Sequence, residues 1–230
     1  MTTKATQRGH KKSEPDLPVQ ITAIEPQKKR VDRYSLFNGS DFIIGVSGQT
    51  LLRFNLKKGV EITPFLYKQI KDAEEYHAIK DYFIRLLGRR DHAQMELQKK
   101  GRTKGFPDSI MEEVLDELSD KNYLNEEVFA SKFISDKLEF SKWGPQKIKS
   151  ELIKKGVQHL LIEKLLKEHT GDLELSRICV DLVVKRKARY LRENDPIKRR
   201  QKIIGWLLQK GFQHNTIQKA LTDIEKELNV

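Results

Sequence analysis

The densest chemistry in this chain is positive charge. Between Lys185 and Lys202 stand nine lysines and arginines (Lys185, Arg186, Lys187, Arg189, Arg192, Lys198, Arg199, Arg200 and Lys202) against two acids, Glu193 and Asp195. Ammonium and guanidinium groups at this density suit a polyanion, either nucleic-acid phosphates or the acidic wall of a protein groove. A charge run is also the ordinary solvated face of a helix. What favours a binding surface is the break at Asn194-Asp195-Pro196, which lets two basic segments fold back into one patch. Arg89 and Arg90 form a smaller basic pair just ahead of Asp91-His92. Tyr190, inside the larger cluster, has a face on which a base could stack, although a tyrosine at a helix end more often packs.

The remaining reactive side chains point away from catalysis. Asp91 and His92 are neighbours in a string that opens a helix, so their side chains diverge, and no serine, cysteine or second histidine stands at a useful spacing. Asp91 with Gln94 three residues on fits a helix cap, leaving the arginines exposed. His159 and His214 occupy the same place in two repeats and lack acidic or thiol partners at ligand spacing, so no metal site is expected. Glu112, Glu113, Asp116, Glu117 and Asp120 read as the wet side of a helix whose other side is Met111, Val114, Leu115 and Leu118. Cys179 stands alone between Ile178 and Val180. It cannot form an intramolecular disulfide, suits a reducing cytosol, and reads as a small core residue. No enzyme, cofactor or metal is implied.

The elements that position these residues repeat. Lys104-Gly105-Phe106, Lys155-Gly156-Val157 and Lys210-Gly211-Phe212 each lie between two amphipathic segments, with glycines 51 and 55 residues apart. At offsets +6, +9 and +10 from each glycine come Met111, Val114, Leu115, then Ile162, Leu165, Leu166, then Ile217, Ala220, Leu221. Eight residues before each glycine stand Leu97, Ile148 and Ile203. Lysine followed by glycine suits a helix C-terminus, because the cation meets the negative end of the dipole and glycine adopts the left-handed conformation. The unit is therefore three helices with its glycine turn between the second and third. Units of this size share core with their neighbours, which predicts a tandem α-array. Repeats are assigned to residues 76–124, 125–170 and 171–230.

Ahead of them, residues 1–18 are polar and read as a disordered basic tail. Residues 19–75 read as a small β ribbon plus a helix. Ile21–Ile24 is a strand candidate, and Asn38-Gly39 between Arg33–Phe37 and Asp41–Val46 signals a hairpin. Thr63-Pro64 opens a helix as cap and first residue. Asn125 caps another, with Glu126 and Glu127 in its first turn, and Gly144-Pro145 and Asp195-Pro196 restart the chain in the second and third units.

The formal charge is +11, with 33% charged and 37% hydrophobic residues over 230 positions. Both ends are basic and the first repeat is neutral. No segment approaches the roughly 20 apolar residues that span a bilayer, and the polar first fifteen residues lack the apolar core of a secretory signal. A cytoplasmic protein with no membrane contact is expected.

The string Leu86-Leu87-Gly88-Arg89-Arg90-Asp91-His92-Ala93-Gln94-Met95-Glu96-Leu97 resembles a family signature. Val114–Leu118, Tyr123–Ala130, Gly144-Pro145-Gln146-Lys147-Ile148 and Lys155-Gly156-Val157 continue it in the same order. Together they resemble the RecX family, regulators of the bacterial RecA recombinase. The likeness covers residues 76–225 and is weaker in the third repeat, where Asp195-Pro196, Arg199 and Lys210-Gly211-Phe212 keep the frame. The hairpin and Leu56-Lys57-Lys58-Gly59 are similar to the amino-terminal extension of some members. The resemblance implies a mainly α fold of three tandem three-helix repeats in an elongated curved array, with a small N-terminal β-hairpin extension. It implies binding along the helical groove of the RecA filament, in contact with neighbouring protomers, with inhibition of strand exchange and co-protease activity; a monomer that also meets single-stranded DNA is expected. Gly101 departs from the pattern where Leu152 and Leu207 stand in the other repeats, and predicts an early or looser end to that helix. A rival remains, a helix-turn-helix DNA-binding regulator, because a three-helix unit with a glycine turn shares that outline. The acidic helix of repeat 1 argues against it, whereas Gln213, His214, Asn215, Gln218 and Lys219 in repeat 3 are of types that read bases.

Overall fold

In a computed structural model, which describes residues 14–28 and 30–228, the chain packs as two units. The tail expected over residues 1–18 lies outside the described residues up to position 13. The first unit contains residues up to Tyr82 together with Ser109–Met111. Its strands are β1 (Val19–Gln20), β2 (Ala23–Gln27), β3 (Arg30–Asn38), β4 (Asp41–Ser47) and β5 (Glu61–Ile62). β2, β3 and β4 form one antiparallel sheet, and β1 pairs antiparallel with β5.

The hairpin turns one residue later than the sequence suggests. Asn38 pairs with Asp41 in the ladder, so Gly39 and Ser40 make the turn, and Gly39 takes the left-handed φ of 57° that glycine tolerates. The expected strand at Ile21–Ile24 is also displaced, because Ile21 and Thr22 fall between β1 and β2. Short helix α1 (Gly48–Arg53) follows, capped by the Ser47 hydroxyl. Helix α2 (Pro64–Leu87) begins as read, with Thr63 Oγ1 accepting from Leu66 N at 3.2 Å. Glu74 of α2 accepts from Ser47 N at 2.7 Å and pairs with Arg33 at 2.8 Å, which fastens the helix to the sheet. Ile21, Leu36, Ile43, Val46, Leu56, Ile62 and Ile70 fill the core between them.

The second unit is helical: α3 (Gln94–Thr103), α4 (Asp108–Asp120, apart from Ser109–Met111), α5 (Glu126–Glu139), α6 (Pro145–Lys154), α7 (His159–His169), α8 (Asp172–Val184), the single turn α9 (Lys187–Tyr190), α10 (Pro196–Gln209) and α11 (His214–Leu228). All twelve frame residues counted from the three glycines are buried. Gly105, Gly156 and Gly211 have φ of 80°, 86° and 93°. Each ends its helix with the same pair of bonds: the glycine amide reaches back three residues (to Arg102, Ile153 or Leu208), and the next amide reaches back five (to Gly101, Leu152 or Leu207). This is the Schellman motif three times over. It uses only backbone atoms at the position of residue 101, so α3 ends two residues before its glycine just as α6 and α10 do. The early end expected from Gly101 is thereby corrected.

Helix starts follow the sequence except in one case. Asn125 Oδ1 accepts from Val128 N at 2.9 Å, and the Asp195 carboxylate accepts from the Ile197 and Lys198 amides. Asp91, however, does not cap α3. The helix starts after Ala93, and the Asp91 carboxylate pairs instead with Lys132 of α5 at 2.7 Å.

Neighbouring repeats share core and turns. Ala93 of repeat 1 is buried among Phe129, Ile134, Ile148 and Leu152 of repeat 2, and Leu138 of α5 packs against the cores of both repeat 2 and repeat 3. The Gly211 turn sits directly on the start of α6: Gly144 N donates to Lys210 O at 2.8 Å, and Gln146 N donates to Gly211 O at 2.9 Å. The backbones are so close that a Cβ on Gly144 would lie 2.2 Å from the Gly211 carbonyl carbon.

Candidate partner-binding surface

The basic cluster of repeat 3 gathers around the C-terminal end of α11. Lys185 closes α8, Arg186 precedes α9, and Lys187 and Arg189 lie in it. Lys187 Nζ donates to the Glu227 carbonyl at 2.7 Å, placing a cation where the α11 dipole is negative. From the other segment Arg200 reaches Glu225 of the same helix end at 3.6 Å. Both segments thus touch one element, and the turn at Asp195-Pro196 allows it.

Not every cation in the cluster is available. Arg199 is only 9% exposed. The Arg186 guanidinium lies over the Trp206 ring at 4.5 Å, a cation–π contact that holds it against α10. Lys202 pairs with Glu193, while Lys198, 3.9 Å from Asp195, remains exposed. Lys185, Arg189 and Arg192 are exposed, with no acidic partner among the described residues. Tyr190 is 5% exposed, and its ring lies 6.3 Å from that of Trp206, so it packs and offers no face for a base. Burial raises its phenol pKa.

Arg89 and Arg90 differ from each other. Arg89 is exposed. Arg90 donates to Asp91 O at 2.8 Å and to Glu96 at 3.0 Å, and is part of an ionic joint. Glu96 of α3 also accepts from Lys155, the lysine of the second glycine turn, and lies 3.1 Å from His92 Nδ1. Burial opposes ionisation of Glu96, but hydrogen bonds from Lys155 and Arg90 outweigh it and hold the carboxyl at about 2. His92 is buried at 6% exposure; burial first and Arg90 second push its pKa down, so it serves as a neutral partner of Glu96. Sequence reading anticipated the helix-ending role of Lys155 but missed the carboxylate it meets 59 residues away.

Cys179 and the acidic face of α4 fall in the bland places expected of them. Cys179 is fully buried, and burial pushes its thiol up to about 12. Glu112, Glu113, Asp116 and Asp120 are exposed on α4, opposite buried Val114, Leu115 and Leu118. Gln213, His214, Asn215, Gln218 and Lys219 are all exposed on or beside the first turns of α11. One arrangement escaped the sequence: His169 Nε2 lies 2.8 Å from Ser131 Oγ and its Nδ1 lies 3.4 Å from Ser135 Oγ, a clasp between α5 and α7. Among the described residues no group of three His, Cys, Asp or Glu side chains could hold a metal ion, and no helix is long and apolar enough to cross a membrane.

Fold and surface together define a class, a tandem three-helix scaffold whose last repeat carries a basic face. Comparison with known proteins narrows it. Four family models match in order: the regulatory protein RecX N-terminal domain over residues 19–63, and the first, second and third three-helix domains of RecX over residues 80–118, 125–166 and 176–221. The regulatory protein RecX of Clostridioides difficile is 30% identical over 204 residues, covering 89% of this chain and 95% of its own. That of Listeria innocua is 26% identical over 215 residues, covering 92% and 78%. A crystal structure of a regulatory protein RecX superposes with a TM-score of 0.73 at 22% identity, over 88% of this chain and 98% of that one. The crystal structure of RecX from Lactobacillus salivarius gives 0.57 at 23% identity, over 67% and 96%. The chain belongs to the RecX family of regulatory proteins.

Proposed function

We propose that this protein modulates the RecA recombinase, acting as an inhibitor that lies in the groove of the RecA–DNA filament and obstructs strand exchange and co-protease activity. The observation that carries the reading is the match of all four RecX modules in their order along one chain. A repeat scaffold supports it physically, because stacked three-helix units offer an extended surface and an extended surface suits a repeating partner. The exposed cations Lys185, Arg189, Arg192, Lys198 and Arg200, with Arg89 in repeat 1, suit acidic filament walls or the DNA within them. Arg199, Arg186, Lys187 and Arg90 are committed to internal contacts, and we assign them to holding that face in place.

The test is co-sedimentation and anisotropy with RecA filaments formed on single-stranded DNA, beside the same DNA alone, followed by a strand-exchange assay. Tighter binding to filaments and slowed strand exchange are expected. Equal affinity for both in one buffer would refute the groove model and favour direct DNA binding through the exposed polar residues of α11.

A further inference from the structure

Two lysines at the joint of repeats 2 and 3 are held by an aromatic ring instead of a carboxylate. Lys137 Nζ lies 5.1 Å from the centre of the half-buried Trp143 ring, and Lys147 Nζ lies 4.3 Å from it. Gly144 N donates to Lys210 O at 2.8 Å, so a third lysine meets the residue after Trp143, and its own Nζ lies 5.7 Å from the Trp206 ring. None of the three pairs with an acid among the described residues, and Asp136 and Glu139 at the same end of α5 are exposed and pair with none of them. A cation resting on a partly exposed ring is weakly held. It can leave for a stronger partner, and a phosphate oxygen is one.

Two further observations lie in the loop between α5 and α6. Phe140, which closes α5, is 76% exposed, and no cation or second ring lies against it among the described residues. Its ring gives up the burial energy that holds most phenylalanines inside. Lys142 is the second. Among the described residues, three other than glycine take a positive φ: Asn55, Asn122 and Lys142. Asparagine tolerates that region, whereas lysine is strained in it. With φ of 50°, Lys142 turns the chain so that Trp143 N donates to Lys137 O at 2.9 Å. Strained backbone therefore sets Trp143 against the end of α5, and strain of this kind gathers at binding sites.

We infer that this joint binds single-stranded nucleic acid. Phosphates draw Lys137, Lys147 and Lys210 off the rings, while bases stack on Phe140 and on the face of Trp143 that the lysines vacate. Cations and exposed aromatic surface alternate here, and a single strand alternates phosphates and planar bases in the same way. An acidic peptide would answer the lysines but leave Phe140 in water. A duplex keeps its base faces inside its own stack. The cations that serve the filament reading lie elsewhere, on the third repeat and at Arg89, so the two sites are separable by mutation.

Trp143 and Trp206 are the two tryptophans of the chain, which lets the site report on itself. In the full chain carrying W206F, oligo-dT should quench the emission of Trp143 and saturate. An abasic deoxyribose-phosphate strand of the same length should bind at least about tenfold more weakly. F140A should weaken oligo-dT binding, read by anisotropy of a labelled strand, by about tenfold with an unchanged salt slope. K137Q and K147Q should weaken it too and flatten the log–log salt slope by about 0.7 for each lost phosphate contact. Thermal melts check folding, and the anisotropy series on the parent background does not depend on W206F. Parental affinity in F140A, equal binding of the abasic strand, or poly-glutamate displacing oligo-dT at equal charge would each overturn the proposal. Filament co-sedimentation is scored separately. Loss of strand binding with intact filament binding sinks this site alone, and the opposite result sinks the filament reading alone.

Discussion

Three glycines with the same backbone conformation should respond very differently to the same substitution. Gly105, Gly156 and Gly211 have φ of 80°, 86° and 93°, so alanine at each pays a common left-handed strain of about 1–2 kcal/mol. Beyond that they diverge. Nothing lies within 4 Å of a Cβ built on Gly105. A Cβ on Gly156 would meet Met95 Sδ at 2.6 Å, which can swing aside, and Met95 Cβ at 3.2 Å, which must give by only a few tenths of an ångström. A Cβ on Gly211 would meet Lys147 Cβ at 2.4 Å and Lys147 N at 2.5 Å, which cannot yield without moving α6. Moving α6 loosens the two bonds that join the repeats, Gly144 N to Lys210 O and Gln146 N to Gly211 O, each worth about 1 kcal/mol. The expected losses are about 1 kcal/mol for G105A, about 1–2 for G156A and about 3–5 for G211A, the last resting on strain, two bonds and displaced packing. Urea unfolding followed by circular dichroism measures the series. Hydrogen exchange at the Gly144 and Gln146 amides should rise in G211A and stay unchanged in G105A. Equal losses across the three variants would refute the backbone joint, because only shared φ strain would then remain.

Two further expectations rest on charge. Glu96, held at about 2 in the fold, has a depressed pKa, so its contribution is complete above the ordinary carboxylate value of 4.5 and is lost as pH falls through that range toward 2. The contribution is roughly 3 kcal/mol at neutral pH; E96Q should remove this part of the acid transition, and an unchanged acid limb in E96Q would refute the joint. In the basic patch, K185Q, R189Q and R192Q should leave the melting temperature within about a degree or two and flatten the salt dependence of filament binding by about one log–log unit per lost phosphate contact. R199Q, at a buried site, should instead lower the melting temperature, and a folded triple variant with parental salt dependence would show that the patch is only a solvated face.

Much of this architecture is legible because one frame is written three times. Met111, Ile162 and Ile217 stand at the same offset from their glycines and all are buried, since each repeat solves the same local packing problem. The Schellman turns are legible for the same reason, lysine and glycine being chosen by local dipole and backbone geometry. The misreadings arise where a distant element competes with the local rule. Asp91 has cap chemistry at cap spacing, yet Lys132 in the next repeat takes its carboxylate. Arg199 looks like a surface ligand by type, yet the fold of α9 against α10 buries it, whereas Tyr190 packs as a tyrosine at a helix end more often does.

The joints between repeats show where periodicity stops being informative. Nine residues before the three glycines stand Glu96, Lys147 and Lys202. In the first joint the acid meets Lys155 of the next turn, and the two repeats are tied by an ion pair. In the second joint the equivalent residue is a lysine, which cannot pair with the lysine at 210. Lys147 instead lies over the Trp143 ring at 4.3 Å, and the contact passes to the backbone of Gly144 and Gly211. One joint is thus ionic and sensitive to acid, and the other is steric and sensitive to a single added methyl group. Identical turns, read in isolation, carry no sign of this difference; it emerges only when the residue facing each turn, 59 positions away in one case, is known.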